Sequence, residues 1–215
     1  MNFLPRPIST ERRARLSSGE SWRLADFCAT LAAMARNATI YRVQLELSHV
    51  DRDVYASLPL TLARHPSETL ERMVLRLLAF GLRYQEGLEF GRGVSATDEP
   101  DLWRREGDGR VSEWIEVGQP DAKRLIKACR QSGRCQLFIS GEGALRWRKA
   151  QLDGMKIPDN LGVAHIEDDF VASLAAAIDR QIRWSMTVTD NRVFLTTGEA
   201  TFETSPEVWV GDPLG

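Results

Sequence analysis

The chain has 215 residues, 43% hydrophobic and 27% charged, a globular composition that excludes disordered, collagen-like and disulfide-scaffold classes. Lys and Arg number 28 against 30 Asp and Glu, so the net charge of −2 excludes a chain-wide basic coat, and any nucleic-acid contact must come from a local patch. No apolar run reaches the ~18–20 residues of a bilayer span, and the three cysteines (Cys28, Cys129, Cys135) lack metal-type spacing, which points to a reducing, cytoplasmic setting without a membrane.

Residues 1–33 carry Arg6, Arg12, Arg13, Arg15 and Arg23 and then the small-residue stretch ADFCATLAAMA. Glu11, Glu20 and Asp26 interrupt both halves of a targeting pattern. The stretch reads as an N-terminal extension, disordered or translated from a start site set too far upstream. Residues 34–215 read as a single α/β domain.

In TIYRVQLELS, Tyr41, Val43, Leu45 and Leu47 alternate with polar residues, the period of a half-buried strand. HVDRD is a turn, and VYASLPLTLA resumes the alternation, with Pro59 restricting this second strand to an edge or a bulge. Beyond it, Leu70, Met73, Val74, Leu77, Leu78 and Gly81 form one helical stripe, with Ser67 as the expected cap and Glu68 in the first turn. GLEF, DLWRR and RVSEWIEVG follow as strands, the last two about the turn Gly107-Asp108-Gly109. Asp121 or Gln119 caps a second helix, DAKRLIKACRQSG, and RCQLFIS reads as a buried strand. The order over this region is helix, three strands, helix, strand. A short basic helix at Ala144–Leu152, a strand at Val163–Ile166, a helix at Asp168–Ile182 and a hairpin turning at Asp190-Asn191 complete the chain.

The densest polar signal runs from Asp98 to Asp121, eight acids against three arginines; Lys123 to Arg134 then holds five bases and no acid. Solvated surface gives the same counts as a cation site beside an anion site. Two residues stand out. Glu116 interrupts an apolar strand, where a carboxylate is costly unless paired or metal-bound. Asp101 opens the partner strand, so the two carboxylates converge, and convergent oxygens suit Mg²⁺. Lys123 stands in the first helical turn against the dipole preference. Lys127, Arg130 and Arg134 continue its face, which fits a phosphate backbone or plain solvent. Trp147, among basic neighbours, suits base stacking or an amphipathic helix.

The strings ATIY, LTLARHPSETLERMVLRLLAF, DEPDLW, WIEVGQPDAKRLIKAC and PEVW, spread from about Met34 to Trp209, strongly resemble the YaeQ family of bacterial proteins. That family resembles the PD-(D/E)XK nuclease superfamily, whose core is helix, three strands, helix, strand. The resemblance implies an α/β fold with this nuclease-like core, an added N-terminal β-hairpin, and a C-terminal helix plus β-hairpin. It places Pro100-Asp101 at the PD element and Glu116 at the (D/E) position, and makes Glu68 a further helix acid with Glu71 as its rival. The motif lysine is replaced by Gly118, leaving Lys123 to supply an ammonium with Gln119 as a polar helper. The implied activity is a Mg²⁺- or Mn²⁺-dependent nuclease, the ion held by Asp101 and Glu116, with Lys127, Arg130 and Arg134 on the nucleic acid. The alternative is a non-catalytic protein that keeps the fold to bind nucleic acid or the transcription machinery.

Overall fold

The computed structural model describes residues 38–93, 98–198 and 200–214; the extension expected at 1–33 lies outside them. Strand alternation governs the first sheet. Tyr41, Val43, Leu45 and Leu47 all face inward from β1 (Thr39–His49), which pairs antiparallel with β2 (Val54–Arg64) through a 3-10 turn at Val50–Arg52. Pro59 lies opposite Gln44 in an unbroken register, tolerated because β2 is an edge strand. On its other side β1 pairs parallel with β8 (Gln181–Thr189), and β9 (Arg192–Thr197) and β10 (Ala200–Thr204) extend the sheet to the order β10-β9-β8-β1-β2. The β8–β9 hairpin turns at Asp190 and Asn191, both at positive φ (52° and 58°), the geometry of a tight two-residue hairpin turn.

The second sheet has the order β11-β7-β6-β5-β4-β3. Strands β3 (Leu88–Phe90), β4 (Leu102–Arg105) and β5 (Val111–Val117) form an antiparallel meander. Strands β6 (Ser132–Ile139) and β7 (Leu161–His165) then run parallel to β5. β11 (Glu207–Val210) pairs antiparallel with β7. The helices are α1 (Leu70–Arg83), α2 (Ala122–Gln131), the short α3 (Ala144–Trp147), which runs into a π turn at Arg148–Leu152, and α4 (Asp168–Ala177). From α1 to β6 the observed order is helix, three strands, helix, strand.

Helix α1 carries more than one apolar stripe: every residue from Met73 to Arg83 is buried. It lies between the sheets. One core joins Leu45, Leu47, Met186 and Val188 of the first sheet to α1, to Phe170 and Leu174 of α4, and to Ile115, Val117 and Phe138 of the second. Contact is close enough that a Cβ on Gly81 would stand 2.6 Å from Met186 Sδ. The opposite face of the second sheet, with Trp114, Leu137, Ile139 and Val163, packs against Leu125 and Ala128 of α2 and Trp147 of α3. Truncating any of these buried side chains costs about 2–5 kcal/mol.

Three local expectations are corrected. The cap of α1 is Thr69, whose hydroxyl accepts from Arg72 N at 3.2 Å; Ser67 and Glu68 precede the helix. Helix α4 ends at Ala177 and not Ile182, because β8 begins at Gln181 to pair with β1. Trp147 is buried and donates its indole N–H to Pro120 O at 2.6 Å, so it offers no stacking surface. No helix among the described residues is long and apolar enough to cross a membrane.

Candidate functional site

The acids singled out in the sequence meet at the junction of α1, β4, β5 and α2. Asp101, at the head of β4, is 2% exposed; its backbone is fixed between Ile115 O, which its N–H reaches at 3.1 Å, and Gly91 N, which its carbonyl accepts at 2.9 Å. Its carboxylate accepts from Arg72 Nη2 at 2.7 and 2.9 Å and from Val117 N at 2.9 Å. Glu68 accepts from Arg72 Nη1 at 3.0 Å and Arg76 Nη2 at 2.8 Å. Glu116, at the other end of β5 from Val111, accepts from Trp114 Nε1 at 2.7 Å and from the Nε and Nη2 of Arg124 at 3.0 and 3.1 Å.

The geometry follows from local folding. Arg72 and Arg76 are one and two turns after Glu68, so α1 presents both guanidinium groups along one line. The phase of α2 is set at its start: Asp121 accepts from Arg124 N at 2.7 Å and Gln151 from Ala122 N at 3.0 Å. That phase turns Arg124 inward to Glu116 and leaves Lys123 exposed, with no hydrogen bond or ion pair among the described residues.

Three buried acids thus face three arginines, a neutral set. Burial pushes the Glu116 carboxyl above its ordinary range and the Asp101 charge adds to the rise, against the pull of Arg124 and the Trp114 indole. A divalent cation between Asp101 and Glu116 would need oxygens now engaged on every side. Displacing the guanidinium groups would leave them beside the metal as like charges. The residues in this arrangement do not fit Mg²⁺ or Mn²⁺. No group of three or more His, Cys, Asp or Glu placed to hold a metal occurs among the described residues.

Gln119 and Glu71 lie elsewhere. Both line a cleft of about 450 Å³ beyond the C-terminal ends of β5 and β6, together with Thr69, the edge of Arg72, Gly141 and Asp168. Gln119 Nε2 donates to Glu142 O at 3.4 Å. Of the basic face, Lys127 is paired with Asp98 at 3.1 Å. Arg130 and Arg134 form no ion pair or side-chain hydrogen bond among the described residues; they stand at the opposite end of the sheet, in a groove of about 770 Å³ beside Val111 and Ser112. The structure therefore brings Glu68, Asp101 and Glu116 together, turns Lys123 to solvent, and places Gln119 in the adjoining cleft and Arg130 and Arg134 at the opposite end of the sheet. Sequence reasoning missed Arg72, Arg76 and Arg124. Arg76 carried a signal: a charged residue inside the run MVLRLL needs a buried partner.

Fold and site define a mixed α/β protein with two sheets and four helices among the described residues, around a buried, charge-balanced network of acids and arginines. Residues 34–206 match the family described as YaeQ protein. The chain is 37% identical over 178 residues to YaeQ of Escherichia coli (strain K12), covering 82% of this chain and 98% of that one, and 38% identical over 178 residues to YaeQ of Salmonella typhi. The crystal structure of YaeQ protein from Xanthomonas axonopodis pv. citri superposes with a TM-score of 0.77 at 40% identity, covering 80% of this chain and 97% of that chain. That from Pseudomonas syringae gives 0.79 at 40% identity, covering 82% and 98%. The chain belongs to the YaeQ family.

Proposed function

We propose that this protein is a nuclease-like scaffold that binds nucleic acid without hydrolysing it. The observation that carries the reading is the arginine closure of Asp101 and Glu116: the carboxylates that would hold a catalytic ion are already neutralised from α1 and α2. The order helix, three strands, helix, strand supports a core of the PD-(D/E)XK kind. Gly118 in the place of the motif lysine, and Lys123 directed to solvent, remove the ammonium such chemistry uses to stabilise developing charge. The unpaired Arg130 and Arg134 support a polyanionic partner.

The test is a gel-shift and cleavage assay on DNA and RNA, with EDTA and with Mg²⁺ or Mn²⁺. Binding without cleavage, equal under all conditions, is expected. Metal-dependent cleavage that disappears in Glu116→Gln would return the protein to the nucleases.

A further inference from the structure

The groove that holds Arg130 and Arg134 is lined by Gln85, by residues of the β4–β5 hairpin and by the continuous stretch from Arg130 to Arg134. Arg104 comes from β4, Arg110 from the turn into β5, Arg130 from the last turn of α2 and Arg134 from β6. Register places Arg104 opposite Glu113 and Glu113 opposite Arg134, so the two arginines flank one glutamate across three neighbouring strands. Their backbones are two strand spacings apart, about 9–10 Å. Glu113 is not free to neutralise either of them. It is buried, and it accepts from Arg83 Nε at 2.7 Å and from the amide of Gln85.

Charge accumulates at this end of the molecule. Arg104 shares Glu106 at 3.0 Å, and Arg110 shares the exposed Asp108 at 2.5 Å. Arg130 and Arg134 have no such partner among the described residues, and Arg134 is close enough to Arg52 to add to the effect of burial in disfavouring that residue's charge. Arg104 Nε is buried and has no hydrogen-bond acceptor. Apart from Val111 and Gly133 the side chains of the lining are polar. A folded protein partner needs apolar anchors at the centre of its interface, whereas a phosphodiester chain needs spaced planar donors.

We infer that this groove is the nucleic-acid site, taking the phosphate backbone through Arg104, Arg110, Arg130 and Arg134 and reading no base. The inference rests on the binding function proposed above and places it away from the buried acids. Ser112 and Glu116 are separated by about 13 Å of extended strand, so the backbone is held clear of the carboxylates that a nuclease would bring to it.

The experiment is fluorescence anisotropy with a labelled oligo-dT strand and a labelled duplex, titrated between about 50 and 200 mM NaCl. Wild type, Arg130→Gln/Arg134→Gln and Lys149→Gln are compared after thermal melts establish that all three fold. Four phosphate contacts give a log–log salt slope of about −3, and losing two should flatten it by about 1.4–1.8. Lys149→Gln removes one exposed charge elsewhere and should leave the slope unchanged. Wild-type binding with an unaltered slope in the double variant would overturn the groove and leave the binding function standing. No binding of either probe at the lowest salt would overturn both. Binding of poly-glutamate but of neither oligonucleotide would assign the groove to an acidic protein and overturn the phosphodiester inference.

Discussion

A Cβ placed on Gly118 would stand 3.9 Å from Arg72 Nε. The position from which a motif lysine would reach the acids therefore looks directly onto the arginine that holds Asp101. Gly118 also has φ of +89°, where L-residues are strained, and its N–H is fixed to Phe138 O at 2.9 Å. The cation at this junction arrives from α1, and the residue that follows β5 is a glycine held at positive φ.

Gly118→Lys should accordingly fail to create a nuclease. We expect it to lower stability by about 1–2 kcal/mol from the positive φ alone. A second cation facing Arg72 should add to that loss. Denaturant unfolding measures the loss, and Mg²⁺-dependent cleavage by this variant would show that the junction still admits a metal.

Arg72→Met should leave Asp101 buried without its counter-charge. Breaking a buried pair costs about 3–5 kcal/mol. Arg72 keeps 26% of its side chain exposed, so solvent screening brings the expected loss to about 2–3 kcal/mol. Removing the guanidinium also frees Asp101 Oδ1, while Oδ2 still accepts from Val117 N. Mg²⁺ should therefore raise the melting temperature of Arg72→Met and leave that of wild type unchanged.

Glu113→Ala should cost more than Arg72→Met. Arg83 and Glu113 are each only 2% exposed, so the loss leaves a guanidinium buried between the sheets, at about 3–5 kcal/mol. Glu113→Gln, which keeps an acceptor for Arg83, should recover part of it. Equal losses in the two variants would indicate that packing, and not the hydrogen bond, holds Arg83.

His49, at the inward end of β1, gives the fold a pH dependence. Burial, reinforced by the charge of Arg52, lowers its pKa from 6.5 to about 4. The unfolded chain takes up the proton first. The stability contributed by neutral His49 is therefore complete above pH 6.5 and is lost as pH falls towards 4, with a slope approaching 1.4 kcal/mol per pH unit. Glu116, with its raised pKa, works in the other direction, gaining stability as it protonates. Melting wild type beside His49→Phe across this range isolates the histidine: the difference between them should change between pH 6.5 and 4 and stay constant above.

How much of this was legible depended on how local each cause was. The β1–β2 hairpin announced itself because one face of each strand repeats every second residue, and β5 because an apolar run follows the turn Gly107-Asp108-Gly109. The cap of α1 was misplaced by two residues because Ser67 and Thr69 both offer a hydroxyl before the same apolar run. Strands β10 and β11 carry too few inward side chains to show a period; β10 is a strand through its hairpin with β9, and β11 through long-range pairing with β7. Glu116 was legible from the cost of burying a carboxylate, and Asp101 from its place at the start of the partner strand. Their counter-ions were not, since Arg72 and Arg124 lie on two helices whose phase relative to β5 is fixed only by packing. Between adjacent Lys123 and Arg124, a single helical step decides which one reaches Glu116.

The parallel pairing of β1 with β8 has a consequence for how the chain is made. Val43 meets Ile182 only after nearly all of the domain has left the ribosome. Until then the β1–β2 hairpin exposes an apolar face and one unsatisfied row of backbone donors and acceptors, the kind of edge that recruits foreign strands. Strand β8 covers the free edge of β1, and β9 and β10 then extend the first sheet. Nascent chains stalled before β8 should therefore bind holdase chaperones and resist native-like folding, and release should coincide with emergence of the segment that ends at Thr189.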